Sequence, residues 1–249
     1  MGKAGLVNNK DVERVYSKYV NINNNEIYLG RYSNVIINQV DSINRNYARL
    51  VTVKEFERLI SEHNIKANKL LMFNGGAEGD PELKYICANK IDRVDYNEKT
   101  GKNDLHDLNC QDKDYDFFLF SQTLEHVYNT DLCIRNINNH LTRGGYVFTS
   151  VPVINIGHST PFHYYTGFTP VGLGIMFERG GVEIIEIGQW GNLKYILKMF
   201  INKYWPEGKQ LNAGFHEITD LKIPFQMYKS GRINDFNNPV DCWILAKKI

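Results

Sequence analysis

The sequence predicts an α/β fold built on a mainly parallel, three-layer sheet. Short apolar runs of strand length alternate along the chain with amphipathic segments of helix length. Glycine pairs punctuate the alternation, as at Gly75-Gly76, Gly144-Gly145 and Gly180-Gly181. Strands that alternate with helices in this way lie parallel, because a helix carries the chain back across the sheet before the next strand.

Composition excludes several classes of protein. At 249 residues, 43% hydrophobic and 23% charged, the chain suits one hydrophobic core and is too apolar for disorder. Lys and Arg total 29 against 28 Asp and Glu, a net charge of +1, so no nucleic-acid partner is expected. No run approaches the ~18 apolar residues of a membrane span, and the first ten residues lack a signal-peptide apolar region. We expect a soluble, cytoplasmic protein.

Residues 1–66 are predicted to form a helical N-terminal extension. Its clearest helix has apolar residues spaced by three and four, at Val53, Phe56, Leu59 and Ile60. Thr52 is in position to cap this helix, with Glu55, Glu57 and Arg58 facing outward. Residues 67–249 are predicted to form the main domain.

The first half of the main domain begins with the buried strand Lys69–Phe73, which enters a glycine-rich turn. Asp80-Pro81-Glu82 then supplies a cap, a first-position proline and an acid for a helix that reaches about Cys87. Two short strands are predicted next, at Ile91–Tyr96 and Asn103–Leu108. The run Tyr115–Phe120 is apolar enough to lie in the middle of a sheet.

The second half repeats the alternation. A helix over residues 128–141 is predicted to stop at Arg143-Gly144-Gly145, before the strand Tyr146–Val151. Thr169-Pro170 begins another helix, because threonine caps well and proline suits the first helical position. Strands at Val182–Ile187 and Cys242–Ala246 complete the sheet. The stretch 190–240 between them is too long for a hairpin, so we predict an insertion there.

The turn after the first strand is where a backbone approaches a ligand closely. It contains Gly75 and Gly79, but the Gly-Lys-Ser/Thr of nucleotide hydrolases is absent. Asp95, at the end of the second strand, offers a carboxylate that accepts hydrogen bonds from both hydroxyls of a ribose. Asp107 and Leu108 combine an acid with an apolar neighbour, a pair that brackets an adenine. Two other interpretations explain the same residues. One is a structural turn whose acids face the solvent, and the other is a dinucleotide-binding site.

The segment Ser121-Gln122-Thr123-Leu124-Glu125-His126-Val127 gives this pattern its specificity. Together with the Leu141–Gly145 and His158–Pro170 segments, it resembles class I S-adenosylmethionine-dependent methyltransferases, in particular the type 11 branch. The resemblance runs from about Lys69 to Gly188. Its later part is similar to methyltransferases of glycan and surface-polysaccharide biosynthesis.

The resemblance implies a Rossmann-like, mostly parallel seven-stranded sheet with an antiparallel last strand. It also implies S-adenosylmethionine as the cofactor. Two residues depart from the family pattern: Phe73 stands where an acid is common, and Ala77 replaces the middle glycine. The implied cofactor contacts are Gly75 and Gly79 for the amino-acid part, Asp95 for the ribose, Asp107 and Leu108 for the adenine, and Ser121 and Gln122 for the methionine moiety.

Three histidines follow predicted strands and are candidate bases. Histidine suits this task because its reference pKa of ~6.5 leaves much of it neutral near pH 7. We rank His163 and His158 ahead of His126, because aromatic neighbours surround His163 in the sequence. No CxxC, HxH or HxxxH spacing occurs, so no metal is expected.

The resulting hypothesis is O-methylation of a sugar, a glycan or another small hydroxylated acceptor. One alternative is a degenerate methyltransferase-fold subunit without catalysis, because Phe73 removes an acid from the turn. The others are N- or C-methylation of a different small molecule, and a dinucleotide-dependent oxidoreductase.

Overall fold

Strands and helices alternate along the chain as predicted. The computed structural model describes residues 8–20, 47–73, 80–96, 104–108, 114–155, 157, 161–191 and 239–249. In these ranges the strands are β1 (Ala67–Phe73), β2 (Ala88–Val94), β3 (Tyr115–Leu119), β4 (Leu141–Pro152), β5 (Val182–Trp190) and β6 (Asp241–Lys248). The α-helices are α1 (Asn9–Val15), α2 (Tyr47–Glu62), α3 (Thr130–His140) and α4 (Pro170–Arg179). A π-helical turn, Tyr16–Val20, continues α1, and short 3₁₀ turns lie at Pro81–Lys84 and Leu124–His126.

The described strands form one sheet in the order β2-β1-β3-β4-β6-β5. β1 pairs in parallel with both β2 and β3, and β3 pairs in parallel with β4. The sheet is mostly parallel and includes an antiparallel strand. It has six strands in the described part of the chain, so the prediction of seven is wrong.

The missing strand is the one predicted at Asn103–Leu108. Residues 104–108 instead form a turn closed by an isolated bridge between Asp104 and Asp107. The Asp104 side chain accepts the backbone N–H of His106 at 2.9 Å, and the Asp104 carbonyl accepts that of Asp107 at 2.9 Å. An aspartate that bonds the backbone two residues further on favours a turn over an extended strand.

Two element boundaries also differ from those predicted. The helix expected from Pro81 to about Cys87 is only the 3₁₀ turn Pro81–Lys84, because the chain rejoins the sheet at Ala88. β4 begins directly after α3, so Gly144-Gly145 lies within the strand. The register of β3 and β4 shifts at this point, and Gly145 packs closely on the Asp116 backbone, where a Cβ atom would lie 3.2 Å from its Cα.

Helices cover both faces of the sheet. Phe56 of α2 meets Phe117 of β3 edge to face, whereas Phe177 of α4 stacks on Phe120, three residues further along the chain. Successive strand residues point to opposite faces, so α2 and α4 lie on opposite sides.

The polar side of α2 differs from its prediction. Thr52 lies inside the helix and is buried, so it does not cap the first turn. Glu55 does not face outward either: it is fully buried, and its carboxylate accepts the Arg58 guanidinium at 2.6 Å. Arg58 joins this carboxylate to that of Glu186, and a buried charge is tolerated when it is paired in this way.

The chain divides into two compact units, one of residues 1–22, 52–188 and 242–249, and one of residues 23–51 and 189–241. In the second unit, the backbone N–H of Val240 donates to the Trp190 carbonyl at 2.8 Å. Most of the insertion predicted at 190–240 lies outside the described residues, and the predicted boundary at residue 66 stays a prediction. Within the described ranges, no helix is both long and apolar enough to cross a membrane.

Gly188 is a packing constraint within β5. A Cβ atom at this position would lie 2.2 Å from the ring of Trp243, which is fully buried in β6. We expect Gly188→Ala to lower the free energy of unfolding by about 1–3 kcal/mol, because the indole has to shift in a close-packed core. Urea denaturation measures the change. Gly157→Ala is the control, because among the described residues its Cβ would meet only His163, at an ordinary 3.8 Å. Equal stability of the two variants would contradict the packing argument.

Candidate active site

The strand order reverses between β1 and β3. From β1 the chain crosses to β2 on one side, and from β3 it crosses to β4 on the other. The two connections therefore diverge and leave a crevice outside the carboxyl ends of the strands, where open α/β sheets bind ligands. The candidate active site lies at this crevice, beyond Phe73 and Leu119.

The end of β2 brings Asp95 to the crevice. β1 and β2 end level, with Phe73 paired to Val94, so Asp95 lies beside the point where the chain leaves β1. Its side chain is exposed. The ribose contact of Asp95 stays a prediction, and Gly75 and Gly79 lie outside the described residues.

Ser121 and Gln122 follow the end of β3. The Ser121 hydroxyl donates to Oε1 of Glu82 at 2.8 Å, and both side chains are buried. Gln122 has a φ of +51°, a left-handed conformation uncommon in residues other than glycine, and its backbone N–H donates to the Ser150 carbonyl at 2.7 Å. Such strain persists where the surrounding structure fixes it, often at a ligand site.

Asp107 and Leu108 belong to the turn at 104–108. Asp107 is exposed and Leu108 is buried. The turn is bonded to the segment that carries α3: Asn136 Nδ2 donates to the His106 carbonyl at 2.6 Å, and the backbone N–H of Asn129 donates to His106 Nε2 at 2.8 Å. These bonds hold the predicted adenine contacts beside the connection that leaves β3.

Two of the three candidate bases come together. His126 follows β3 and His163 follows β4, and their rings meet edge to face with centroids 5.3 Å apart. His126 Nδ1 lies 2.7 Å from the Phe162 carbonyl oxygen, which only accepts hydrogen bonds. Nδ1 therefore carries the proton, and the lone pair of the neutral ring is on Nε2. His158 lies outside the described residues.

Tyr96 and Phe162 connect the two sides of the crevice. Tyr96 follows β2 and Phe162 follows β4, yet their ring centroids are 5.9 Å apart. β2 and β4 are separated by β1 and β3, a width of roughly 14 Å at the usual strand spacing. These residues therefore cross the carboxyl ends of β1 and β3. We call Tyr96 and residues 161–168 the roof.

The roof is bonded to the turn that follows β3. The backbone N–H groups of Tyr164 and Tyr165 donate to the Glu125 carbonyl at 2.9 and 3.2 Å, and the Tyr165 hydroxyl donates to the Tyr128 carbonyl at 2.8 Å. The rings of Tyr128 and Tyr164 meet edge to face, 5.7 Å apart, and stay 69% and 44% exposed. Two exposed aromatic rings are thus held on a fixed backbone.

Glu125 is a site residue that the sequence analysis did not identify. Its side chain is 1% exposed, and its Oε2 has no hydrogen-bond partner in the described part of the chain. Burial raises the pKa of Glu125 to about 7, because low dielectric disfavours the ionised form. A carboxyl group with this pKa exchanges a proton near neutrality, as an acid or base in catalysis does. Its only signal in the sequence is an acid directly before His126.

The structure thus brings five of the predicted site residues to the carboxyl edge of β1 to β4. They are Asp95, Ser121, Gln122, His126 and His163.

Glu82 was missed because an acid directly after Asp80-Pro81 resembles an exposed first-turn residue of a helix. Where the structure describes the chain, no group of three His, Cys, Asp or Glu side chains is placed to hold a metal ion.

Comparisons with known proteins give one family match and a shared fold. Residues 76–149, less than half of the chain, match a methyltransferase domain family. No curated protein matches the chain. A candidate sarcosine dimethylglycine methyltransferase of Galdieria sulphuraria is similar over 80% of this chain and 86% of its own, with 11% identity and a TM-score of 0.52. A SAM-dependent methyltransferase of Archaeoglobus fulgidus is similar over 80% of this chain and 94% of its own, with 18% identity and a TM-score of 0.48. The first likeness shows a mixed α/β, Rossmann-like fold.

The raised pKa of Glu125 predicts how stability depends on pH. The folded state holds this proton up to about pH 7, whereas an ordinary carboxyl loses it near pH 4.5. Stability from this group is therefore full below pH 4.5 and is lost as the pH rises through 7. We expect Glu125→Gln, relative to wild type, to gain roughly 3 kcal/mol between pH 4.5 and 8. Urea denaturation across this range measures it, and a difference that does not change with pH would contradict the assignment.

Proposed function

We propose that this chain is an S-adenosylmethionine-dependent methyltransferase that methylates a hydroxyl group of a sugar, a glycan or another small acceptor. The observation that carries the proposal is where the methyltransferase-domain match, residues 76–149, falls on the structure. It contains Gly79 of the predicted turn, and also Asp95 after β2 and Ser121 after β3, both of which lie at the crevice. The match supports S-adenosylmethionine as the cofactor.

The residues at the crevice fit this cofactor. The exposed carboxylate of Asp95 accepts hydrogen bonds from both ribose hydroxyls. Asp107, which is exposed, and Leu108, which is buried, are the predicted adenine contacts. Gly75 and Gly79 would border the amino-acid part, and Ser121 and Gln122 the methionine moiety. S-adenosylmethionine, when bound, supplies a methyl group on its sulfonium sulfur, and the acceptor atom takes this methyl group as the sulfur leaves.

The roof suits an acceptor with both apolar and hydroxylated surfaces. Aromatic rings pack against the C–H face of a sugar, and tyrosine hydroxyls bond its rim. Tyr128 and Tyr164 present such rings from a backbone that hydrogen bonds hold in place. Fixing the acceptor over the methyl donor lowers the entropic part of the barrier.

A base that takes the hydroxyl proton adds to this alignment. His163 is our preferred base, because aromatic residues flank it in the sequence and both nitrogens of its ring are buried. His126 and Glu125 are the other described groups at this end of the sheet, and His158 is a further candidate from the sequence. His126 is the one whose tautomer the structure determines, with Nε2 in the form that accepts a proton.

The main alternative is a methyltransferase-fold subunit without catalysis. Phe73 favours it, because this buried side chain stacks on Phe118 at 6.3 Å and adds no charge to the turn. A protein that does not bind the cofactor would favour this alternative, and a protein that binds it without transferring the methyl group would do so too. N- or C-methylation is a further alternative, which analysis of the methylated product decides.

We expect S-adenosylhomocysteine to raise the melting temperature and NAD to leave it unchanged, because a ligand that binds the native state stabilises it. Asp95→Ala should weaken binding of S-adenosylhomocysteine by ~1.5–3 kcal/mol, since it removes charge-assisted bonds to the ribose. Calorimetric titration measures this loss. Glu183→Ala, which removes an exposed acid of β5, should bind as wild type does. Unchanged affinity in a folded Asp95→Ala protein would refute the ribose contact.

We expect His163→Ala to lower kcat by ~10²–10⁴-fold with the acceptor found in a screen of nucleotide sugars and short glycans. Affinity for S-adenosylhomocysteine should stay the same, and the acidic limb of the pH–rate profile should disappear. His63→Ala, an exposed histidine after α2, is the control. If His163→Ala and His158→Ala both keep normal kcat, these residues are structural, and His126 becomes the candidate base.

A further inference from the structure

Glu82 places a carboxylate at the crevice that the proposed function has not used. Its side chain is fully buried, and Ser121, its partner at 2.8 Å, is 4% exposed. We propose that Glu82, acting through Ser121, recognises the ammonium group at the amino-acid end of the cofactor. This assignment rests on the proposed function and makes Glu82 a positioning residue.

The position of the bond is the first argument. Glu82 lies on the 3₁₀ turn that follows β1 and its glycine-rich turn, and Ser121 lies just beyond the end of β3. The bond therefore joins the two strands between which the strand order reverses. Ser121 follows β3 directly, so the buried pair lies at the carboxyl end of this strand.

The direction of the bond is the second argument. A serine hydroxyl has one proton to donate and two lone pairs that accept. Because a carboxylate only accepts, the Ser121 proton is committed to Glu82 Oε1. Ser121 Oγ is left as an acceptor, and a neighbouring carboxylate strengthens it in that role. An ammonium group only donates, so it matches this oxygen, whereas a carboxylate does not.

Charge is the third argument. Coulomb attraction acts more strongly in the low dielectric of an interior than in water. A carboxylate behind Ser121 therefore favours a cation at this end of the crevice. β1 itself ends in Phe73, which is apolar and packed on Phe118, so its last residue adds no charge.

Two ligands that differ only at the amino-acid end test the proposal. S-adenosylhomocysteine carries the ammonium group, and 5′-methylthioadenosine has the same adenosine and sulfur without it. Glu82→Gln keeps an acceptor for Ser121 and removes the charge. We expect calorimetric titration at pH 7 to show at least a tenfold rise in Kd for S-adenosylhomocysteine and less than a twofold change for 5′-methylthioadenosine. Glu183→Gln should change neither value.

Ser121→Ala is the second variant and decides the matter if Glu82→Gln does not fold. It removes the oxygen that contacts the ammonium group, so it should also weaken S-adenosylhomocysteine selectively. A loss of the same factor for both ligands means that Glu82 and Ser121 only support the shape of the crevice, and it overturns the proposal. Unchanged binding of both ligands overturns it too. A wild-type protein that binds neither ligand contradicts the proposed function as well, which distinguishes the two failures.

Discussion

The hydrogen bond from Ser121 to Glu82 closes the gap that the reversal of strand order opens. The connections that leave β1 and β3 diverge, so the backbone ladder of the sheet does not hold the turn at Pro81–Lys84 against the residues after β3. One buried bond of 2.8 Å joins them. Loss of either partner would leave the other buried without it, which costs more than the bond contributes. The shape of the crevice thus depends on two side chains that lie 39 residues apart.

Glu125 supports the roof and exchanges a proton through different atoms. The roof bonds to the backbone carbonyl of Glu125, through the N–H groups of Tyr164 and Tyr165, and not to its carboxyl group. A change in the charge of the carboxyl group therefore breaks none of these bonds. Burial raises the pKa of Glu125, so its proton exchanges near neutral pH while the bonds to the roof stay intact. Such an arrangement separates the exchange of a proton from the support of the backbone.

The elements that the chain specifies locally were predictable from the sequence. α4 begins as predicted, with the Thr169 side chain accepting the Gly172 N–H at 3.1 Å, and β1 and β3 formed where the apolar runs placed them. The errors about Glu55 and Glu82 concern pairs that are distant in the sequence. Glu55 is buried because Arg58 also reaches Glu186, 128 residues further on, and Glu82 is buried because Ser121 lies across the crevice. Asp95 could be placed by counting strands, whereas the roof depends on a contact between two loops that no local pattern encodes.

The bond between Trp190 and Val240 has an evolutionary consequence. It joins the last residue of β5 to the residue before β6 at 2.8 Å, so the chain leaves the sheet and returns to it at neighbouring points. The entropy of closing a loop grows slowly, by about 0.6 kcal/mol for each doubling of its length. Insertions, deletions and exchanges between these two anchors therefore leave β5 and β6 almost unaffected. Natural selection is free to change the length and sequence of this segment while β5 and β6 stay neighbours in the sheet.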